Sequence, residues 1–213
     1  VYDGKVSAGS DGFTGLGDEE VTLTDTTVSA SVLKDVYENG TSGTIDASSV
    51  HTISGTGTTI TNANAVYASG RFTGLGSENV TITDQGASGA GNGVSVSDLN
   101  TLNGYTTGNV VATTATSFTG TISDLNTLYA ASSSSGNGVS GLGSEAATVT
   151  DSSVSASDLN TLDTKTNYNI TVNATTISGS LSDLNTLYGA KASNGCLLYT
   201  SPSPRDKRQA RMP

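Results

Sequence analysis

The sequence predicts an α/β fold, an open-ended solenoid of strand-plus-short-helix repeats, and three observations carry that expectation. The heptapeptide Ser-Asp-Leu-Asn-Thr-Leu-Tyr at Ser123–Tyr129 recurs nearly unchanged at Ser97–Asn103, Ser157–Asp163 and Ser182–Tyr188, and worn copies stand at Ser31–Tyr37 and Thr61–Tyr67. The six copies begin at residues 31, 61, 97, 123, 157 and 182, so their spacings are 30, 36, 26, 34 and 25. Long and short spacings alternate, which makes the unit a double repeat of about sixty residues with two related halves. Finally, Gly15-Leu16-Gly17-Asp18-Glu19, Gly74-Leu75-Gly76-Ser77-Glu78 and Gly141-Leu142-Gly143-Ser144-Glu145 lie 59 and 67 residues apart and mark the first halves.

Each first half continues into Val21-Thr22-Leu23-Thr24-Asp25, Val80-Thr81-Ile82-Thr83-Asp84 or Ala147-Thr148-Val149-Thr150-Asp151. Apolar and polar residues alternate there as on a half-buried strand. The second halves hold Ile45–Val50, Val111–Thr116 and Val172–Ile177 in the same place. In the heptapeptide, Ser reads as an N-cap, and Asp at the first helical position favours the positive end of the helix dipole. Leu99 and Leu102, Leu125 and Leu128, Leu159 and Leu162, and Leu184 and Leu187 sit three apart on one face. A short helix follows, Ser123–Ala131 in the clearest copy. Asn100, Asn126, Asn160 and Asn185 take the place where a capping box would carry Glu or Gln, and could reach back to the cap amide. The competing reading is a stacked Asn ladder bonding from one turn of the chain to the next, and the competing fold is an all-β solenoid with the heptapeptide as a tight corner.

Parallel strands stack about 4.8 Å apart, whereas helices pack at about 8–10 Å. Either the solenoid curves with its helices outside, or the helices of the two halves stagger. Insertions at Gln85–Gly93 and Ser132–Gly138 fall between units, where loops are tolerated. With 34 Thr and 31 Ser in 213 residues, composition alone would allow disorder. The fixed register of the paired leucines argues against it, because stacked repeats bury a continuous core that no single repeat could bury alone.

The end of the chain breaks with this pattern. Residues 196–213 hold the only Cys, the only Met, all three Pro and four of the nine basic residues. Their wording resembles a translated sequencing-library adapter, a contaminant of reading frames assembled from environmental DNA. The alternative is a basic, disordered tail. The domain reading is therefore 1–195 as a repeat solenoid fragment and 196–213 as a non-native or disordered tail, with the natural chain expected to extend beyond both ends. Residues 1–195 carry five basic and eighteen acidic residues, a net charge of −13. Such a surface repels phosphate backbones and anionic lipid, so neither nucleic acid nor a membrane is an expected partner. No run approaches the roughly 18 apolar residues that would span a bilayer, and a chain with no Cys before residue 196 has no disulfide framework.

Chemistry is sparse. His51 is the only His and reads as a surface strand residue. Gly136–Gly141 matches a dinucleotide-binding pattern by letter, but four Ser precede it where a buried strand is required. The sequons at Asn39, Asn79, Asn169 and Asn173 are what this composition produces by chance. Thr-x-Thr pairs at 22/24, 81/83 and 148/150 recur too seldom for a dense ice-binding array. No cofactor is expected, and calcium is the one that acidic loops leave open. Its candidate ligands are Asp18, Glu19, Glu20, Glu78 and Glu145, with Asp25, Asp84 and Asp151 at the strand ends, although neither the glycine-rich calcium nonapeptide nor an EF-hand loop is present.

The Gly-Leu-Gly-x-Glu, Val-Thr-Leu-Thr-Asp, Ser-Ala-Ser-Asp-Leu-Asn-Thr-Leu and Thr-Ile-Ser-Gly pieces, over about residues 10 to 195, resemble the tandem repeats of giant secreted or cell-surface proteins of marine cyanobacteria and other marine bacteria. That resemblance implies an extracellular stalk, coat or adhesin shaft and carries over no catalytic residue. The expected function is a structural or adhesive spacer without catalysis. Its partners would be neighbouring repeats of the same chain, with cell-surface polysaccharide as the outside ligand such a role allows. The alternatives are a carbohydrate-binding or lyase-type β-helix and a calcium-dependent adhesin repeat.

Overall fold

The computed structural model describes residues 16–55, 58–84, 93–133 and 136–190. The tail at 196–213 and most of the insertion at 85–93 lie outside the described residues. The chain is α/β: among the described residues every strand pairing is parallel, and six α-helices alternate with the strands.

Six segments follow one another along the chain. The first holds β1 (Val21–Thr22), β2 (Thr27–Ser29) and α1 (Ala30–Asp35), which runs on as a π-helical turn, Val36–Gly40. The second holds β3 (Ile45–Asp46), β4 (Thr52–Ser54) and α2 (Thr59–Ala68). The third holds β5 (Phe72–Thr73), β6 (Asn79–Thr81), β7 (Val94–Ser95) and α3 (Val96–Tyr105). The fourth holds β8 (Asn109–Val111), β9 (Ser117–Gly120) and α4 (Ile122–Ala130). The fifth holds β10 (Gly138–Ser140), β11 (Ala146–Val149), β12 (Ser153–Ser155) and α5 (Ala156–Asp163). The sixth holds β13 (Ile170–Val172), β14 (Thr176–Ser178) and α6 (Leu181–Ala190). The third and fifth segments carry three strands and the fourth and sixth carry two, which accounts for the alternating spacing of the heptapeptides.

The described parts of the chain form two compact units, one drawn from Val1–Gln85, Ser97–Ala115 and Ala131–Gly141, the other from Gly86–Val96, Thr116–Ala130 and Leu142–Pro213. In the first unit, sheets run in the orders β1-β3-β5 and β10-β8-β6-β4-β2. Val21 pairs with Ile45, and Ile53 with Val80, so like positions of successive segments lie side by side. Ile45, Ile53, Val80, Ile82 and Val110 are buried beneath, together with Leu33, Leu99 and Leu102 from the helices. In the second unit the orders are β13-β11-β9-β7 and β12-β14. Phe118 pairs with Ala147 and Ala147 with Ile170. There Phe118, Ile170, Leu125, Leu128, Leu159 and Leu162 make the core, whereas of the last pair Leu187 is buried and Leu184 half-buried. Helices set about 8–10 Å apart cannot stay in step with strands about 4.8 Å apart in one straight ladder. The ladders hold two to five strands each.

The heptapeptides are helical, which does not favour the all-β alternative. Except in α2, which begins two residues before its copy, the helices begin one residue before the heptapeptide, so in the four clear copies its Ser is the second helical residue and its Asp the third. The capping hydroxyl lies further upstream. Thr121 Oγ1 accepts from the Asp124 amide at 3.1 Å and donates to the Asp124 carboxylate at 2.8 Å. Ser180 does the same with Asp183, at 3.1 and 2.6 Å, and Ser155 Oγ accepts from the amides of Ser157 and Asp158. These are hydroxyl caps on the amide of the third helical residue, which is Asp and not Asn, and at Thr121 and Ser180 the Asp carboxylate bonds back to the capping hydroxyl. Asn sits two positions further on and cannot reach the cap. It bonds instead to the next helix: Asn64, Asn126 and Asn160 donate from Nδ2 to the main-chain carbonyls of Asp98, Asp158 and Asp183, at 2.9, 3.4 and 3.0 Å. The turn-to-turn reading was the better one, although the partner is backbone and not a second Asn.

Candidate functional site

The Gly-Leu-Gly-x-Glu motif builds the most elaborate polar arrangement in each unit. The second glycine has φ of 137°, 127° and 108° at Gly17, Gly76 and Gly143, in the region that side chains avoid. This bends the chain so that the Glu carboxylate two residues on accepts the glycine's own amide. Gly17 N donates to Glu19 at 2.8 Å, Gly76 N to Glu78 at 2.9 Å and Gly143 N to Glu145 at 2.8 Å. Ser77 and Ser144 amides add a second donor in the latter two. A tyrosine from the preceding helix completes those two sites: Tyr67 Oη donates to Glu78 at 2.7 Å, and Tyr129 Oη to Glu145 at 3.2 Å. Glu78 and Glu145 are 0% and 1% exposed. Burial, and secondarily the bond to the Glu78 carboxylate, holds the Tyr67 phenol far above its ordinary range.

The same motif also grips the following segment. The carbonyls of Glu19, Glu78 and Glu145 accept from Thr41, Thr106 and Thr166 hydroxyls at 2.5, 2.7 and 2.8 Å, while the Gly17, Gly76 and Gly143 carbonyls accept from the Ser42, Thr107 and Asn167 amides. The strand-end aspartates reach in the opposite direction. Asp84 accepts from the Ile60 amide at 3.3 Å in the first turn of α2, and Asp151 from the Ile122 amide at 2.7 Å, the first residue of α4. Burial raises the Asp84 carboxyl above its ordinary value, opposed by its bonds to backbone amides.

The calcium candidates are thus distributed among several roles. Glu78 and Glu145 are buried acceptors, Asp84 and Asp151 bond the starts of the preceding helices, Glu19 holds its own loop, and Asp18, Glu20 and Asp25 are exposed. Among the described residues no three His, Cys, Asp or Glu side chains are grouped to share a metal ion. The tyrosines and threonines of these joints went unremarked in the sequence. Their signal was the seventh heptapeptide letter, Tyr in the first, second, fourth and sixth copies but Asn103 and Asp163 in the third and fifth.

The other motifs carry no arranged chemistry. His51 is exposed just before β4, its Nδ1 2.7 Å from the Ser49 carbonyl. The Gly136–Gly141 string contains strand β10 itself, so it does not form a strand–loop–helix phosphate cradle. The threonine pairs differ in exposure, with Thr22 and Thr24 exposed and Thr148 buried. A shallow groove of about 370 Å³ is lined by Ile122, Ser123, Asn126, Thr127, Ala130 and Asp158, and Asn126 Oδ1 is buried there without a hydrogen-bond partner. Among the described residues no helix is long and apolar enough to cross a membrane. No protein-family model, curated protein or solved structure matches the chain.

Proposed function

We propose that this chain is a load-carrying spacer, a stack of solenoid coils from an exported bacterial surface protein, and that it performs no catalysis. The observation that supports the reading is where its recurring polar residues point. Several that recur in the repeat join a coil to its neighbour: Asn64, Asn126 and Asn160 to the next helix, Asp84 and Asp151 to the preceding one, Glu78 and Glu145 to the preceding tyrosine, and Thr41, Thr106 and Thr166 to the preceding Glu carbonyl. Coils of this kind bury their apolar faces only against each other, so length can be added without a new core. An acidic surface and a chain without Cys before residue 196 suit an extracellular setting, with cell-surface polysaccharide as the outside contact.

The test is a thermal melt of the full chain followed by circular dichroism, with calcium and with excess chelator. A cooperative melt indifferent to chelator is expected of coils that hold one another. Folding only with calcium would overturn that self-sufficiency and make the exposed loop acids ligands.

A further inference from the structure

We infer that Tyr67 and Tyr105 form a modification site, at which a peroxide-driven oxidant couples the two phenols into a dityrosine and so staples α2 to α3. The pair lies outside what the spacer reading requires, because the repeat does not call for its second ring.

The repeat accounts for Tyr67. Like Tyr129, it stands near the end of an even-segment helix and donates to the buried carboxylate of the loop that follows. It does not account for Tyr105. That residue directly precedes Thr106, whose hydroxyl bonds the Glu78 carbonyl, and in the first and fifth segments the same place holds Gly40 and Lys165, ahead of Thr41 and Thr166. The added ring lies nearly parallel to Tyr67, with centroids 5.3 Å apart and planes at 12°, an offset stack. Tyr129 meets a phenylalanine instead, Phe118, edge-on at 82°. Tyr105 is 38% exposed and Tyr67 half-buried, so an oxidant in solution reaches the pair through Tyr105.

The oxidant takes one electron from Tyr105, and the vacancy passes across the stack to Tyr67, whose phenol has a base 2.7 Å away in Glu78 Oε2. As that electron leaves, the phenolic proton moves to the carboxylate. A buried anion and a phenol thereby become a neutral acid and a neutral radical, and charge disappears from a place where burial makes it costly. A second oxidation at Tyr105, its proton lost to water, leaves two phenoxyl radicals face to face. Their half-filled orbitals stand perpendicular to the rings, so stacking is the approach that lets an ortho carbon of one bond an ortho carbon of the other. The two ortho hydrogens then leave as protons, Glu78 returns its proton to the Tyr67 oxygen, and the Tyr105 oxygen takes one from water. The sum is two electrons and two protons removed, which reduce one hydrogen peroxide to two waters.

The test treats dilute full chain with hydrogen peroxide and a haem peroxidase, isolates the monomer and maps its peptides by mass spectrometry. A cross-linked pair joining Tyr67 to Tyr105, lighter than its two peptides by two hydrogens, is expected. The staple links positions 38 apart, and the melting temperature should rise on the order of 5–10 °C. Tyr105→Phe keeps the stacked ring, should melt as the untreated parent does, and should lose both the cross-link and the rise. Tyr129, which faces Phe118, should be recovered unchanged. Tyr168, 54% exposed, reports that the oxidant acted. Oxidised Tyr168 beside intact Tyr67 and Tyr105 would overturn the site, and so would Tyr105 coupled only between copies of the chain.

Discussion

Replacing Leu125 with Ala measures whether the paired leucines hold the segments together. Leu125 is fully buried in α4, and it precedes Asn126, whose side chain reaches across to α5. The substitution removes three carbons, about 2.4 kcal/mol at roughly 0.8 kcal/mol for each buried methylene. A cavity between two packed helices adds to that, placing the loss in the range of about 2–5 kcal/mol. For a chain of this size, a loss near 3 kcal/mol lowers the melting temperature by roughly 6–12 °C. Chemical denaturation of parent and variant gives the energy, and amide exchange locates it, because a stack of repeats can open locally before it unfolds globally. Exchange should quicken in α4 and α5 first. Leu184→Ala is the internal control: the same letter of the heptapeptide is only half-buried in α6, and its loss should stay below about 1 kcal/mol. Equal losses at the two sites, or an unchanged melt for Leu125→Ala, would refute the claim that neighbouring helices bury each other's leucines.

Tyr129→Phe keeps the edge-on contact with Phe118 but leaves the buried Glu145 carboxylate short of a donor, and should cost about 1–3 kcal/mol by chemical denaturation. Because the Tyr67 phenol is raised in the folded state, it keeps its proton where the unfolded chain loses it. Stability should therefore fall as pH rises above about 10, by up to about 1.4 kcal/mol per pH unit from this group; alkaline melts of Tyr67→Phe should lack that component. Asp84 is also raised, so its contribution is full below the ordinary carboxylate value and is lost as pH rises through the folded one. Asp84→Asn retains an acceptor for Ile60 and should gain on the parent in melts taken from pH 3 to pH 7. Gly141→Ala would place a Cβ 2.7–2.9 Å from Thr113 at a φ of 85°, and a loss of about 1–3 kcal/mol in the same denaturation assay is expected.

The class of fold was legible because it depends on short-range pattern: Val-Thr alternation made strands, and Leu pairs three apart made helices. The helix caps were placed two residues too late because Ser, Thr and Asp all cap. Only the structure shows that Thr121 and Ser180 take the cap and that the heptapeptide Asp bonds the capping hydroxyl as the third helical residue. The joints were less legible. Tyr67 and Glu78 are 11 residues apart and Asp151 and Ile122 are 29 apart, and nothing in local periodicity couples such positions. Glu78 and Glu145 read as solvated loop acids because Glu is almost always exposed. Here a positive-φ glycine two residues earlier folds each carboxylate back onto its own loop amide and beneath a tyrosine.

Burying a carboxylate in the third and fifth segments makes sense as a means of fixing register. A buried ion is weak evidence for stability, since its desolvation offsets what its hydrogen bonds return. Its effect on alternatives is larger. The apolar letters are nearly the same in odd and even segments, so leucine packing alone would let a segment dock against the wrong neighbour. Tyr67 and Tyr129 end even-segment helices, and Glu78 and Glu145 open odd-segment strands. A slip of one segment would set Asn103 or Asp163 where a tyrosine is required, and a buried carboxylate would face no phenol or a second acid. That mismatch costs a few kcal/mol per joint, about as much as a buried group left unpaired. In a chain whose core is repeated almost word for word, specificity of pairing has to come from the polar letters that alternate, and from the second copy onward the tyrosine of the Tyr–Glu joint does so.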